Sequence, residues 1–282
     1  MLAVMSEIHG LRVADGALRP TGTIAARDEI GPWTVTGPAD APAIVFIHGT
    51  RLSRQQWAPQ VRRLADRYRC VAIDLPGHGT RVDDAFTMDA AIATVVSAID
   101  ANVPSRRAVV VGLSLGGYVA IEVAEAAPDR VAGLVLAGCS AEPIGPAAVG
   151  IRLLASALER LPLRPLEVAN RWYFRARYRR SVVDPLLAGG FGMAGGAQAL
   201  RALVDRPYLD RLSRLWTPVL VVNGALDPMF GPGGEPWAAA CRRGRHVVLR
   251  RAMHLSNLDR PGPFADLVAA FVNEVDVDRK AA

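Results

Sequence analysis

The pentapeptide Gly112-Leu113-Ser114-Leu115-Gly116 follows the apolar run Ala108–Val111 and precedes a helix-forming segment. A serine on such a strand-to-helix turn takes a strained backbone conformation, and glycines two residues to either side remove side chains that would collide there. The chemistry this arrangement offers is nucleophilic attack by a hydroxyl. A helix N-terminus adds unpaired backbone N–H groups and a dipole that favours developing negative charge.

A serine hydroxyl is a weak nucleophile at neutral pH and needs a base within hydrogen-bond reach. Of the five histidines, His254 stands in Ala252-Met253-His254-Leu255-Ser256-Asn257-Leu258, between the last strand and the last helix. That loop lies at the same sheet edge as Ser114. His246 is expected to begin a strand at the opposite edge, and His9 sits in an irregular N-terminal segment. A carboxylate should orient the imidazole, and Asp227 follows the strand Pro218–Asn223 in another loop at that edge. The resulting order, Ser114, Asp227, His254, is that of a strand-borne serine triad. Glu142, after the preceding strand, is the next carboxylate in line. The oxyanion donors are expected to be the backbone N–H groups of Leu115 and of Thr50, in the loop His48-Gly49-Thr50. His48 is expected to hold that loop by hydrogen bonding, and His78, in Asp74-Leu75-Pro76-Gly77-His78-Gly79, to be a turn residue.

Positioning these groups at one edge requires a particular order of elements. Strands are predicted over Ala43–Ile47, Cys70–Ile73, Ala108–Gly112, Val131–Ala137, Pro218–Asn223 and His246–Leu249, with Trp33–Thr36 as an edge strand. Helices are predicted over Gln55–Tyr68, Met88–Asn102, Gly117–Ala127 and Pro263–Val275. This alternation describes an α/β protein with a parallel sheet flanked by helices. It breaks between Glu142 and Arg211, where only helical segments appear, Ile151–Arg160 and Leu166–Arg180. Residues 142–211 therefore read as an inserted helical cap, and 1–141 with 212–282 as the core domain.

Composition bounds the remaining possibilities. The chain has 282 residues, 51% of them hydrophobic, and a formal net charge of +6. Its only lysine is Lys280, so the charge is carried by arginines interspersed with acids, and no nucleic-acid reading motif accompanies them. Cys70, Cys139 and Cys241 fit neither a disulfide framework nor a zinc site. The opening Met1-Leu2-Ala3-Val4-Met5 is too short for a signal peptide, and no run is long enough to span a membrane. A cytoplasmic location follows. Within the cap, Arg171–Arg180 mixes rings and cations. On one continuous helix Trp172, Arg175 and Arg179 would share a face, as would Tyr173, Arg177 and Arg180. The preferred expectation is that the rings pack onto the sheet domain while the arginines reach water; the alternative is that some line a pocket.

Taken together, Ile47-His48-Gly49-Thr50, Trp57, the Asp74–Gly79 turn, Gly112-Leu113-Ser114-Leu115-Gly116-Gly117, Asp227 and His254-Leu255-Ser256-Asn257-Leu258 resemble the α/β-hydrolase superfamily. The branch is that of small bacterial esterases, lactonases and related cap-bearing hydrolases, and the similarity runs from about Trp33 to Val275. It implies a mostly parallel eight-stranded sheet with a helical cap over Ser114. The substrate implied is a small apolar ester, lactone or thioester, handled with no metal or organic cofactor. Members that cleave carbon halides or epoxides carry aspartate at the position of Ser114, which disfavours that chemistry. Thioesterases, acyltransferases, cyclases, carbon–carbon bond hydrolases and hydroxynitrile lyases share the serine and stay open, as does a slow-turnover receptor-like protein. This chain departs from the pattern in a longer N-terminal segment and an arginine-rich cap.

Overall fold

A computed structural model describes residues 31–160 and 163–281. The expectations for His9 and for the opening five residues lie outside that range. β1 (Trp33–Thr36), β2 (Ala43–Ile47), α1 (Ala58–Leu64), β3 (Arg69–Ile73), α2 (Met88–Asn102), β4 (Ala108–Leu113), α3 (Leu115–Ala126) and β5 (Val131–Ala137) follow one another along the chain. Then come α4 (Gly145–Arg160), α5 (Leu163–Arg177), α6 (Arg180–Ala188), α7 (Met193–Leu203) and α8 (Tyr208–Arg214). The chain closes with β6 (Val219–Gly224), α9 (Gly234–Ala240), β7 (Gly244–Leu249), α10 (Ser256–Asp259) and α11 (Pro261–Ala281).

The strands form one sheet in the order β1-β3-β2-β4-β5-β6-β7, parallel except for β1, which runs antiparallel to β3. Among the described residues there are seven strands, not the eight that the resemblance implies. Every residue of β2, β4 and β6 is buried, as expected where both faces are covered. Period-two alternation then divides each strand between two cores. Val45, Val71, Val110, Leu134 and Val221 belong to one core, which includes apolar residues of α2, α3, α8 and α9. Ile44, Phe46, Val109, Val111 and Val222 belong to the other, with residues of α1 and α11. The three cysteines are buried and unpaired, and burial pushes the Cys70 thiol up to about 12, which removes it as a nucleophile.

Register brings the carboxyl ends of the central strands level: Ile47 lies opposite Gly112, Leu113 opposite Ala137, and Ala137 opposite Val222. Chain order reverses between β2 and β4, with β3 outside β2 and β5 outside β4. Loops leaving such neighbours diverge, and the crevice between them is where open α/β sheets bind ligands.

The helical region between β5 and β6 is richer than periodicity indicates. Three helices there, α6, α7 and α8, were not expected from the sequence; in the first two, Pro185 lies inside α6 and Gly192, Gly195 and Gly196 crowd the start of α7. Such residues weaken an isolated helix; here burial of Val183, Leu186, Leu187, Met193 and Ala197 stabilises them. The boundary at residue 211 falls within α8, which packs against α3 and α9. The helix expected over Leu166–Arg180 also breaks. Arg179 is extended and caps α6, so Arg179 and Arg180 do not share faces with Arg175 and Arg177. Likewise Gln55–Tyr68 resolves into a 3-10 turn, Arg54–Trp57, and the short α1 with proline in its first turn.

Candidate active site

Ser114 sits between β4 and α3 with φ 54° and ψ −118°, outside the regions favoured by non-glycine residues. Its N–H donates to Ala137 O at 2.8 Å, and its carbonyl accepts from Gly117 N at 2.9 Å, so both neighbouring elements hold the strained turn. A Cβ at Gly116 would collide with the Ile47 carbonyl, and one at Gly112 with that of Gly116. The flanking glycines therefore let α3 start directly against β2. The N–H of Leu115 is the first in α3 and has no partner within the helix.

His254 Nδ1 lies 3.2 Å from Asp227 Oδ2. The other carboxylate oxygen, Oδ1, accepts the N–H groups of Met229 at 3.0 Å and Phe230 at 3.2 Å. Burial opposes ionisation of Asp227, but the His254 hydrogen bond and the two backbone donors outweigh it and hold its pKa below the ordinary value. The Phe230 ring stacks on the imidazole at 4.9 Å and 22°, fixing its plane. Glu142 is placed elsewhere: its carboxylate accepts Leu209 N at 2.8 Å at the start of α8. His246 lies in β7, where Nε2 meets Asn223 Oδ1 at 3.1 Å.

Ser114, His254 and Thr50 all line one cavity of about 270 Å³. Among the described residues no hydrogen bond joins Ser114 to His254. Leu52, Tyr173, Phe174, Tyr178 and Phe191 supply apolar walls, so part of the Arg171–Arg180 stretch faces the cavity. Phe174 also packs with Leu52 and Leu258, while Trp172 is 73% exposed. The stretch thus combines both expected behaviours, and Trp172 follows neither.

Sequence reading missed the buried polar network beneath this site. Gln56 Oε1 accepts Gly49 N at 2.8 Å, and Gln56 Nε2 donates to Asn257 Oδ1 at 3.3 Å. Gln60 Nε2 donates to Asn257 O at 2.8 Å. These bonds tie the loop after β2 to the loop that bears His254, about 200 residues later in the chain. Glutamines four apart in a segment of otherwise buried helix face were the available signal. Asp259 adds a second tie, accepting Met253 N at 2.7 Å, Arg177 Nη2 at 2.7 Å and Tyr178 OH at 2.9 Å. It joins the His254 loop to the end of α5.

His48 and His78 are both buried, with rings 4.9 Å apart. His48 Nδ1 donates to Gly49 O at 2.9 Å, and Nε2 accepts Leu75 N at 3.1 Å. Both nitrogens are thus satisfied in the neutral form, and the ring bridges the loops after β2 and β3. His78 Nδ1 donates to Pro76 O at 2.9 Å within its turn. Burial, then the neighbouring His48, lowers the His78 pKa to about 3. Between the ordinary value near 6.5 and about 3, the unfolded chain binds a proton at His78 that the folded chain does not. The stability this neutral ring contributes is complete above that ordinary value and is lost as pH falls towards 3. Unfolding in urea at pH 7 and pH 5 should show the native protein losing about 2 kcal/mol more than His78→Asn does over that interval. Equal losses would place the acid sensitivity elsewhere.

A profile of the alpha/beta hydrolase family matches residues 44–267. The chain is 27% identical to 3-oxoadipate enol-lactonase 1 of Acinetobacter baylyi, over 96% of this chain and the whole of that protein. It is 33% identical to the pimeloyl-[acyl-carrier protein] methyl ester esterase of Xanthomonas campestris pv. campestris, over 71% of this chain and 82% of that one. A thermophilic esterase from Thermogutta terrifontis superposes with a TM-score of 0.69 at 26% identity, covering 86% of this chain and 93% of that chain. This chain belongs to the alpha/beta hydrolase family. Within it, the protein is similar to enzymes named for action on a lactone and on a methyl ester.

Proposed function

We propose that the enzyme is a serine hydrolase that cleaves a carboxylic ester or lactone through an acyl-enzyme intermediate. The observation that carries this reading is the convergence of a strained Ser114 at the start of α3 and the Asp227–His254 pair on one cavity. Ser114 Oγ attacks the carbonyl carbon as His254 Nε2 takes the hydroxyl proton. The oxyanion is held by the N–H groups of Leu115 and Thr50. Collapse expels the alcohol, which takes the proton from His254, and leaves Ser114 acylated. Water, deprotonated by His254, then attacks the acyl carbon, and the imidazolium returns that proton to Ser114 Oγ as the acyl bond breaks and the acid leaves. Asp227 holds the imidazole tautomer throughout. The Ser114–His254 hydrogen bond forms as substrate fills the cavity, since such bonds tighten in the Michaelis complex.

In this reading residues 142–211 form the cap, with α4 to α7 as its body and α8 returning to the core. The enzyme works in the cytoplasm, a reading favoured by three unpaired cysteines and by the absence, among the described residues, of any helix long and apolar enough to cross a membrane. It has no nucleic-acid partner. A fluorophosphonate probe should label Ser114, and p-nitrophenyl esters, lactones and thioesters assayed together should show multiple turnovers on an oxygen ester or lactone. Labelling without turnover would instead favour a receptor-like protein. Product transfer to added alcohols or amines in preference to water would favour an acyltransferase or cyclase.

A further inference from the structure

Arg51 follows the loop after β2, in a left-handed conformation with φ 67°. Its carbonyl accepts Gly192 N at 3.0 Å, and its aliphatic stem lies against α7, where Gly196 has no Cβ to obstruct it. The residue is partly buried and lines the same cavity as Ser114 and His254. Among the described residues its guanidinium has neither a hydrogen-bond acceptor nor a counter-ion, and burial alone acts on it, lowering its pKa. The other arginine on the cavity wall, Arg177, is different, because Asp259 neutralises it at 2.7 Å. Asn170 of α5 lines this cavity too, and its Nδ2 is buried without a partner.

A partly buried cation left unpaired is costly, and so is a buried unpaired amide donor. Both costs are relieved by one ligand feature, an anionic acceptor. A guanidinium presents a planar fork that matches a carboxylate in a bidentate pair. One cation and one neutral amide balance a single negative charge; a phosphate dianion would leave a charge unmatched.

We propose that Arg51, with the Asn170 amide, binds a carboxylate of the substrate remote from the scissile bond, so that the enzyme prefers half-esters or lactones of dicarboxylic acids to neutral esters. This rests on the serine-hydrolase reading above and sharpens it, since the substrate is then apolar only in its middle. The test compares p-nitrophenyl hydrogen adipate with its neutral counterpart, methyl p-nitrophenyl adipate. The native enzyme should favour the acid by about 30-fold or more in kcat/KM. Arg51→Met should bring that ratio close to one, chiefly by raising KM for the acid, and Arg51→Lys should restore part of it. A native ratio near one, or a ratio unaltered in a folded Arg51→Met, overturns the proposal while leaving the hydrolase reading intact. If Arg51→Met does not fold, inhibition of the native enzyme decides: adipate should compete with the neutral ester at concentrations where dimethyl adipate does not, and equal inhibition overturns the proposal. If the native enzyme turns over neither ester and Ser114 resists fluorophosphonate, the hydrolase reading falls. Calorimetric binding of adipate against dimethyl adipate then decides the role of Arg51 by itself.

Discussion

Replacing Ser114 by alanine is expected to lower kcat on an activated ester by about 10⁴-fold or more, to the level that oxyanion donors and substrate binding sustain alone. The loss follows from removal of the attacking atom, and the fold should survive because the Ser114 backbone bonds to Ala137 and Gly117 do not involve the hydroxyl. A second variant separates chemistry from structure. At φ 54° and ψ −118° both serine and alanine are strained by roughly 1–3 kcal/mol, and glycine is not. Ser114→Gly should therefore be as inactive as Ser114→Ala yet melt higher, by about 2 °C or more. Undiminished turnover in Ser114→Ala would remove the nucleophile assignment. A Ser114→Gly protein that melts below Ser114→Ala would show that the strain in the turn is smaller than the entropy glycine adds to the unfolded chain.

Asp227→Asn is expected to lower kcat by about 10³–10⁴-fold with little change in substrate affinity. The direction comes from the hydrogen bonds around the carboxylate. Oδ1 already accepts from Met229 and Phe230, so an asparagine in this place keeps its carbonyl there and turns its NH₂ towards His254 Nδ1, which now lies 3.2 Å from Oδ2. An imidazole that accepts at Nδ1 must carry its proton on Nε2, and that nitrogen can no longer take the proton of Ser114. The substitution preserves shape and reverses the tautomer. Since the native carboxylate is held below its ordinary pKa, it is ionised across the working range, so its charge should not add a separate limb to the pH–rate profile near neutrality. Steady-state kinetics of both proteins between pH 6 and 9 check this. A loss of less than about tenfold would mean that His254 is oriented by other groups, with the Phe230 stack the first to test.

Much of this site could be read in the sequence because its parts are local. The strands are short β-branched runs, and period two is written in adjacent residues. The turn around Ser114 needs glycines at set offsets, so pattern and geometry coincide there. Asp227 and His254 were identified by which strands they follow, and the parallel alternation carries that topology. The same reasoning assigned His48 to holding its loop, which is where its two hydrogen bonds place it.

What the sequence determined by itself, then, is the α/β alternation and the chain order of the serine, the carboxylate and the histidine. Tertiary structure decided whatever depends on side chains meeting across the fold. The helices α6 and α7 form despite proline and glycine because burial outweighs propensity. The Gln56–Asn257–Gln60 network joins residues about 200 positions apart, and Asp259 reaches α5 from the His254 loop. Arg51 is one arginine among many in the sequence. Only packing shows that it is held at the cavity wall without a counter-ion among the described residues, while Arg177 on the same cavity has one, because charge balance belongs to the neighbours that folding assembles.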